Sequence, residues 1–134
     1  MTASSFAGTY RYGKTVSKAL SIASHLAHEW KAGKKITAEE LATVQRLPKP
    51  WVARLLGYLA QAGIVKAFRG PGGGYVLARE PASIRLWEVV VVFQSEAGDG
   101  ESMETWGGIE QALFQSNRIL REYLEQTTLG VFVV

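Results

Sequence analysis

The chain has 134 residues, 47% of them apolar, which suits one ordinary domain with a full core and leaves little room for a separate ligand-binding domain. It contains no cysteine, which excludes disulfides, thiol nucleophiles, thiolate zinc sites and cysteine-held iron–sulfur clusters. The net charge of +3 hides a division: residues 1–79 carry 12 basic side chains against Glu29, Glu39 and Glu40 (+9), whereas residues 80–134 carry three arginines against nine acids (−6). That split predicts a front half that binds a polyanion and a back half with another task.

Residues 1–13 are small and polar, without the apolar stretch of a signal peptide, and the longest apolar run, 89–93, is far too short to cross a membrane. The chain therefore reads as cytoplasmic. Val16, Ala19, Leu20, Ala23, Leu26, Ala27 and Trp30 recur at steps of three and four and predict an amphipathic helix over 13–30. The run Thr37-Ala38-Glu39-Glu40 has capping-box spacing, so a second, short helix starts there and ends by Gln45-Arg46-Leu47-Pro48. A third helix follows over 48–62, with Val52, Leu55, Leu56 and Leu59 inward and Gly63 as its stop. The period then becomes alternating, and the segments 64–69 and 75–79 flank Gly70-Pro71-Gly72-Gly73-Gly74 as a β-hairpin. Helix, short helix, helix, hairpin is the order of a winged helix-turn-helix, a mainly α fold with a small β-hairpin wing.

Beyond Pro81 the pattern is less decisive. Residues 86–93 are β-branched and pass for a buried strand, and their length does not separate that from a buried helix. Residues 94–102 read as a polar loop. Ile109, Ala112, Leu113, Ser116, Ile119, Leu120, Tyr123 and Leu124 then define a helix over 105–126 whose apolar stripe exceeds what the front half needs. A subunit partner would use that stripe, and the apolar end 129–134 would pack on the same partner. The organisation expected is a DNA-binding unit over 1–80, then a linker, a loop at 94–104 and a dimerisation helix at 105–126 with its tail.

The stretch from Ala62 to Arg79 carries an alanine-glycine turn, a short strand, Arg69-Gly70, a turn, Gly73-Gly74-Tyr75 and a second strand. It resembles the winged-helix repressor family that includes IscR, NsrR and CymR. The likeness runs back through Leu41-Ala42 and Leu55, and forward through Ile84-Arg85-Leu86-Trp87-Glu88-Val89 to Thr128-Leu129. It implies that 86–93 is a helix, against raw β propensity, and that the long C-terminal helix makes a dimer. Two departures stand out. Cluster-binding members carry three cysteines in the loop corresponding to 94–103, where this chain has none, and Lys18 replaces the tyrosine usual near the start of the first helix.

In a winged helix-turn-helix the first residues of the third helix meet base edges in the major groove. Lys49 and Arg54 suit guanine or phosphate, and Trp51 either stacks on sugar or a thymine methyl or anchors the core. Arg69, on the thin turn made with Gly70, Pro71, Gly72 and Gly73, suits a narrow minor groove; the plainer reading is a solvated arginine. Thr37 and Arg46 are candidates for phosphate, as are Tyr10, Arg11, Tyr12 and Lys14 unless they form a merely soluble N-terminus. The glycines are no phosphate loop, because no Lys-Ser/Thr follows and a strand comes next. His25 and His28 lack further ligands for a metal, Glu96, Asp99, Glu101 and Glu104 read as an acidic surface before a cation site, and no catalytic arrangement is visible.

These readings converge on a non-enzymatic, cofactor-free, homodimeric transcription regulator, a repressor, that binds double-stranded DNA at a pseudo-palindromic operator. Ile109, Leu113, Ile119, Leu120, Tyr123 and Leu124 are its expected dimerisation residues. The alternative is a protein-interaction regulator working through its C-terminal half with little DNA binding. A further reading, compatible with the first, places a small-molecule effector at the dimer interface near Trp87, Phe93 and Trp106.

Overall fold

The computed structural model describes residues 13–93 and 108–133. Helix α1 (Lys14–His28) buries Val16, Ala19, Ile22, Ala23, Leu26 and Ala27, the stripe its periodicity requires. Helix α2 (Ala38–Gln45) opens on a complete capping box: the Thr37 hydroxyl accepts the Glu40 N–H at 3.0 Å and the Glu40 carboxylate accepts the Thr37 N–H at 3.1 Å. Two of the donors that a helix start leaves without partners are thereby satisfied. Helix α3 (Lys49–Gln61) begins behind Pro48, with Pro50 in its first turn, and turns Val52, Leu55, Leu56 and Leu59 inward.

Strands β1 (Val65–Phe68) and β2 (Gly74–Leu77) pair antiparallel, with Val65 opposite Leu77 and Phe68 opposite Gly74. Their connection is a type II turn. The Gly73 N–H donates to the Gly70 carbonyl at 2.9 Å, Pro71 takes the second position, and Gly72 at φ +75° takes the third, where a positive φ is required. On its other side Tyr75 exchanges both main-chain bonds with Ile36, at 3.0 and 2.8 Å, so a single-residue bridge from the segment between α1 and α2 fastens the edge of the two-stranded wing. Nothing in the sequence pattern announced that pairing.

The segment with strand-like composition is helix α4 (Leu86–Val92). Burial decides against propensity here: Leu86, Val89 and Val90 fall at i, i+3 and i+4 and are all buried, while Val91 points to solvent. Glu88 locks the start by accepting the Arg85 N–H at 3.0 Å. Helix α5 (Gly108–Gln126) follows; residues 94–107, including the first residues expected for this helix, lie outside the described residues. After α5 the chain returns to the start of α4, where Leu86 N–H donates to the Thr127 carbonyl at 2.8 Å and Leu129 N–H to Ile84 at 2.9 Å. The tail expected on a partner therefore begins in the protomer's own core: Leu129 is buried, and among the described residues beyond it Val131 and Phe132 are exposed. A single apolar cluster runs from Val16 through Leu56 and Leu77 to Val90, Leu124 and Leu129.

Candidate nucleic-acid interface

The helix-turn-helix is α2, Arg46-Leu47-Pro48, and α3. Arg46 adopts φ +57°, ψ +49°, the one non-glycine residue with positive φ among those described. This left-handed turn lets the Leu47 N–H reach the Ala42 carbonyl at 3.0 Å and close α2, at a cost of about 1 kcal/mol for a side-chain-bearing residue. The Arg46 side chain projects into solvent beside the start of α3.

On α3, Lys49 and Arg54 are exposed. Lys49 is 3.9 Å from the Glu39 carboxylate, with both side chains well over half exposed, so the pair is screened and costs little to open. Trp51 is half-buried and packs against the core cluster, which accounts for the anchor reading and leaves part of its ring at the surface. Thr37 is committed to the α2 cap: its hydroxyl accepts the Glu40 N–H and itself lies 3.1 Å from the Glu40 carboxylate. That carboxyl is held below its ordinary value chiefly by the hydrogen bond from the Thr37 backbone. Lys14 and Lys18 lie on α1; Tyr10, Arg11 and Tyr12 lie outside the described residues.

Arg69 is exposed one residue past β1. The turn beyond it is thin for a steric reason: a Cβ on Gly73 would lie 2.3 Å from the Phe68 carbonyl oxygen. Gly70 and Gly72, both at positive φ, carry no side chain to broaden the tip. One guanidinium on a bare turn is the geometry that fits a narrow groove.

The C-terminal side is acidic and apolar. Ile109, Ile119, Leu120 and Tyr123 are exposed along α5, whereas the Leu113 side chain lies outside the described residues. Leu124 departs from the expected dimerisation stripe: it is only 7% exposed and belongs to the protomer's own core, because α5 must bury one face against α4. Arg121 fastens the same two helices, with its guanidinium 4.6 Å from the Trp87 ring centroid and a 2.8 Å bond to Glu125. Phe93, the last described residue after α4, meets Tyr58 of α3 edge-on at 5.9 Å. Sequence patterning missed that aromatic pair, since neither residue lies on its helix's inward stripe. Trp106 and the acids of the 94–104 loop lie outside the described residues.

At the base of the wing, Arg79 bonds both the Ser83 carbonyl and the Glu88 carboxylate. Partial burial works to raise the Glu88 pKa; hydrogen bonds from the Arg85 backbone and the Arg79 side chain, with the charges of both arginines, outweigh it and hold the carboxyl below its ordinary value.

A family model described as "Rrf2: Iron-dependent Transcriptional regulator" matches residues 12–133. An HTH-type transcriptional regulator of Aquifex aeolicus is 33% identical over 82 residues, covering 61% of this chain and 56% of that protein. The HTH-type transcriptional regulator IscR of Cereibacter sphaeroides is 35% identical over 100 residues, covering 70% of this chain and 63% of its own. The matches thus span under two thirds of the length of these two curated relatives. Among solved structures, CymR, the global cysteine regulator of Bacillus subtilis, superposes with a TM-score of 0.74 at 26% identity, covering 88% of this chain and 92% of its own. The iron in the family's description finds no matching donor set among the described residues. The chain has no cysteine, and no group of three or more His, Cys, Asp or Glu side chains gathers among the described residues. No helix among those residues is long and apolar enough to cross a membrane. From the extent of the family match and the winged-helix fold shared with these proteins, the chain belongs to the Rrf2 family, whose members are DNA-binding transcription regulators and not enzymes.

Proposed function

We propose that this protein is a homodimeric, sequence-specific repressor that reads a pseudo-palindromic operator through the basic half of each protomer. Lys49, Arg54 and the exposed edge of Trp51 enter the major groove at the start of α3, and Arg46 contacts phosphate from the helix-turn-helix corner. Thr37 contributes by holding the N-terminus of α2, with its free backbone donors, toward the DNA. The exposed face of α5, through Ile109, Ile119, Leu120 and Tyr123, pairs the protomers and keeps the −6 half away from phosphate.

The observation that carries this reading is Arg69, exposed at the end of β1 on a turn that Gly70, Gly72 and Gly73 keep bare. A duplex selected from a random library, titrated by mobility shift over a salt series, tests it. Arg69→Ala should cost about 1–3 kcal/mol of binding, and affinity should fall steeply with salt. Affinity indifferent to both salt and the substitution would overturn the proposal.

A further inference from the structure

A second basic surface lies on the wing, apart from the residues assigned to DNA. Lys66 and Phe68 alternate with Ala67 along β1, so they share the outer face with Val76, which pairs with Lys66 across the hairpin. Val65 and Leu77 point the other way, into the core. Arg69, one residue beyond the strand, is not among the residues that line the groove over the outer face. Above the outer face passes the end of α1 and the turn after it, and the space between is a groove of about 280 Å³.

Its floor and rim differ in character. Trp30, Phe68 and Val76 supply apolar surface, with Trp30 and Phe68 each 36% exposed, while Lys34 and Lys35 line the edge. The Lys35 ammonium lies 4.4 Å from the Phe68 ring centroid and that of Lys66 5.3 Å, so two cations flank one aromatic ring. Glu29 is the single acid on the rim. Lys35 lines the groove and Lys66 stands beside it, both drawn toward the Phe68 ring at its apolar floor. An exposed apolar floor edged by positive charge matches a carboxylate-rich chain with a bulky apolar side chain to bury.

We propose that this groove is a docking site for an acidic segment of a partner protein, anchored by one aromatic or large aliphatic side chain, and that it stays open while Arg69 engages DNA. The inference goes beyond the operator-binding reading and uses none of its residues.

The test is fluorescence anisotropy with the full chain and a labelled probe peptide, Glu-Asp-Glu-Phe-Leu-Asp-Glu, beside a control in which Ser-Ser replaces Phe-Leu. The probe should bind saturably and the control several-fold more weakly. The double variant Lys35→Glu/Lys66→Glu should weaken the probe by about tenfold and Phe68→Ala by about fivefold, whereas Arg69→Ala should leave it unchanged. In parallel DNA titrations Phe68→Ala should bind like the parent, and the lysine variant should lose far less than Arg69→Ala does. Three results would overturn the site: no saturable probe binding, equal binding of probe and control, or a lysine variant whose loss on DNA matches that of Arg69→Ala. Because probe and DNA are read separately, a failure of operator binding leaves the groove's own outcome legible.

Discussion

Gly74 lies so close to the main chain of Ile36 that a Cβ built on it would sit 2.9 Å from the Ile36 carbonyl oxygen. The approach exists because the next residue, Tyr75, pairs with Ile36 on both main-chain groups, and it holds Gly74 at φ +145°. Gly74→Ala should therefore cost about 2–3 kcal/mol, from the clash and the strained backbone together. Gly57, mid-helix on α3 with nothing within 4 Å of its absent side chain, is the natural control. Gly57→Ala should gain about 0.5–1 kcal/mol. Urea denaturation measures both, and similar effects from the two substitutions would show that the Ile36 pairing contributes nothing.

Arg46 separates stability from function. Because it occupies the left-handed region that glycine enters freely, Arg46→Gly should leave the fold as stable as before or about 0.5–1 kcal/mol more stable. If the side chain contacts phosphate, the same variant should bind DNA more weakly and with a shallower salt dependence, by roughly one charge's worth. Retained affinity and an unchanged salt slope would reduce Arg46 to a strained corner.

Acid should loosen the junction between wing and α4. The folded Glu88 carboxyl is held below its unfolded value, so its contribution is present above the ordinary carboxylate range and is lost as pH falls through the folded value. Glu88→Gln should remove that part of the acid dependence, flattening the fall in stability as pH drops through and below the ordinary carboxylate range. Parallel curves for parent and variant would place the acid sensitivity elsewhere.

Leu120 and Leu124 sit one turn apart on α5 and should fail in different ways. Leu120 is 36% exposed, so Leu120→Asp should yield a folded monomer by sedimentation with unchanged helical circular dichroism. Leu124 is 7% exposed and packs within its own protomer, so Leu124→Ala should cost about 2–3 kcal/mol of stability and leave the oligomeric state alone. A Leu120→Asp protein that still sediments as a dimer would refute the proposed face.

Local chemistry was the legible part of this fold. The spacing of Thr37 and Glu40 predicted a cap that the hydrogen bonds complete, and the glycines from Gly70 to Gly74 predicted a wing whose turn needs them for two separate reasons, a positive φ at Gly72 and a close approach at Gly74. Long-range pairings were illegible. Ile36 joins the sheet as one residue, too short to leave an alternating pattern, and Leu124 shares the stripe of Leu120 one turn on, yet is buried in the protomer's own core while Leu120 is exposed. Leu86 to Val92 shows propensity misleading outright: a largely β-branched run forms a helix there because Leu86, Val89 and Val90 fall on one helical face and are buried. At the candidate interface the exposed charges were readable from sequence, whereas the Glu39–Lys49 pair and the backbone of Arg46 belong to how α2 and α3 meet.

The charge boundary near residue 80 has no counterpart inside the molecule. Val89, Val90, Leu124 and Leu129 come from the acidic half and pack in the same cluster as Val16, Leu56 and Leu77 from the basic one. Among the described residues the two surfaces thus share one interior. Loss of side-chain volume from the buried faces of α4 or α5 should therefore destabilise the basic half as well, because both halves fill the same core.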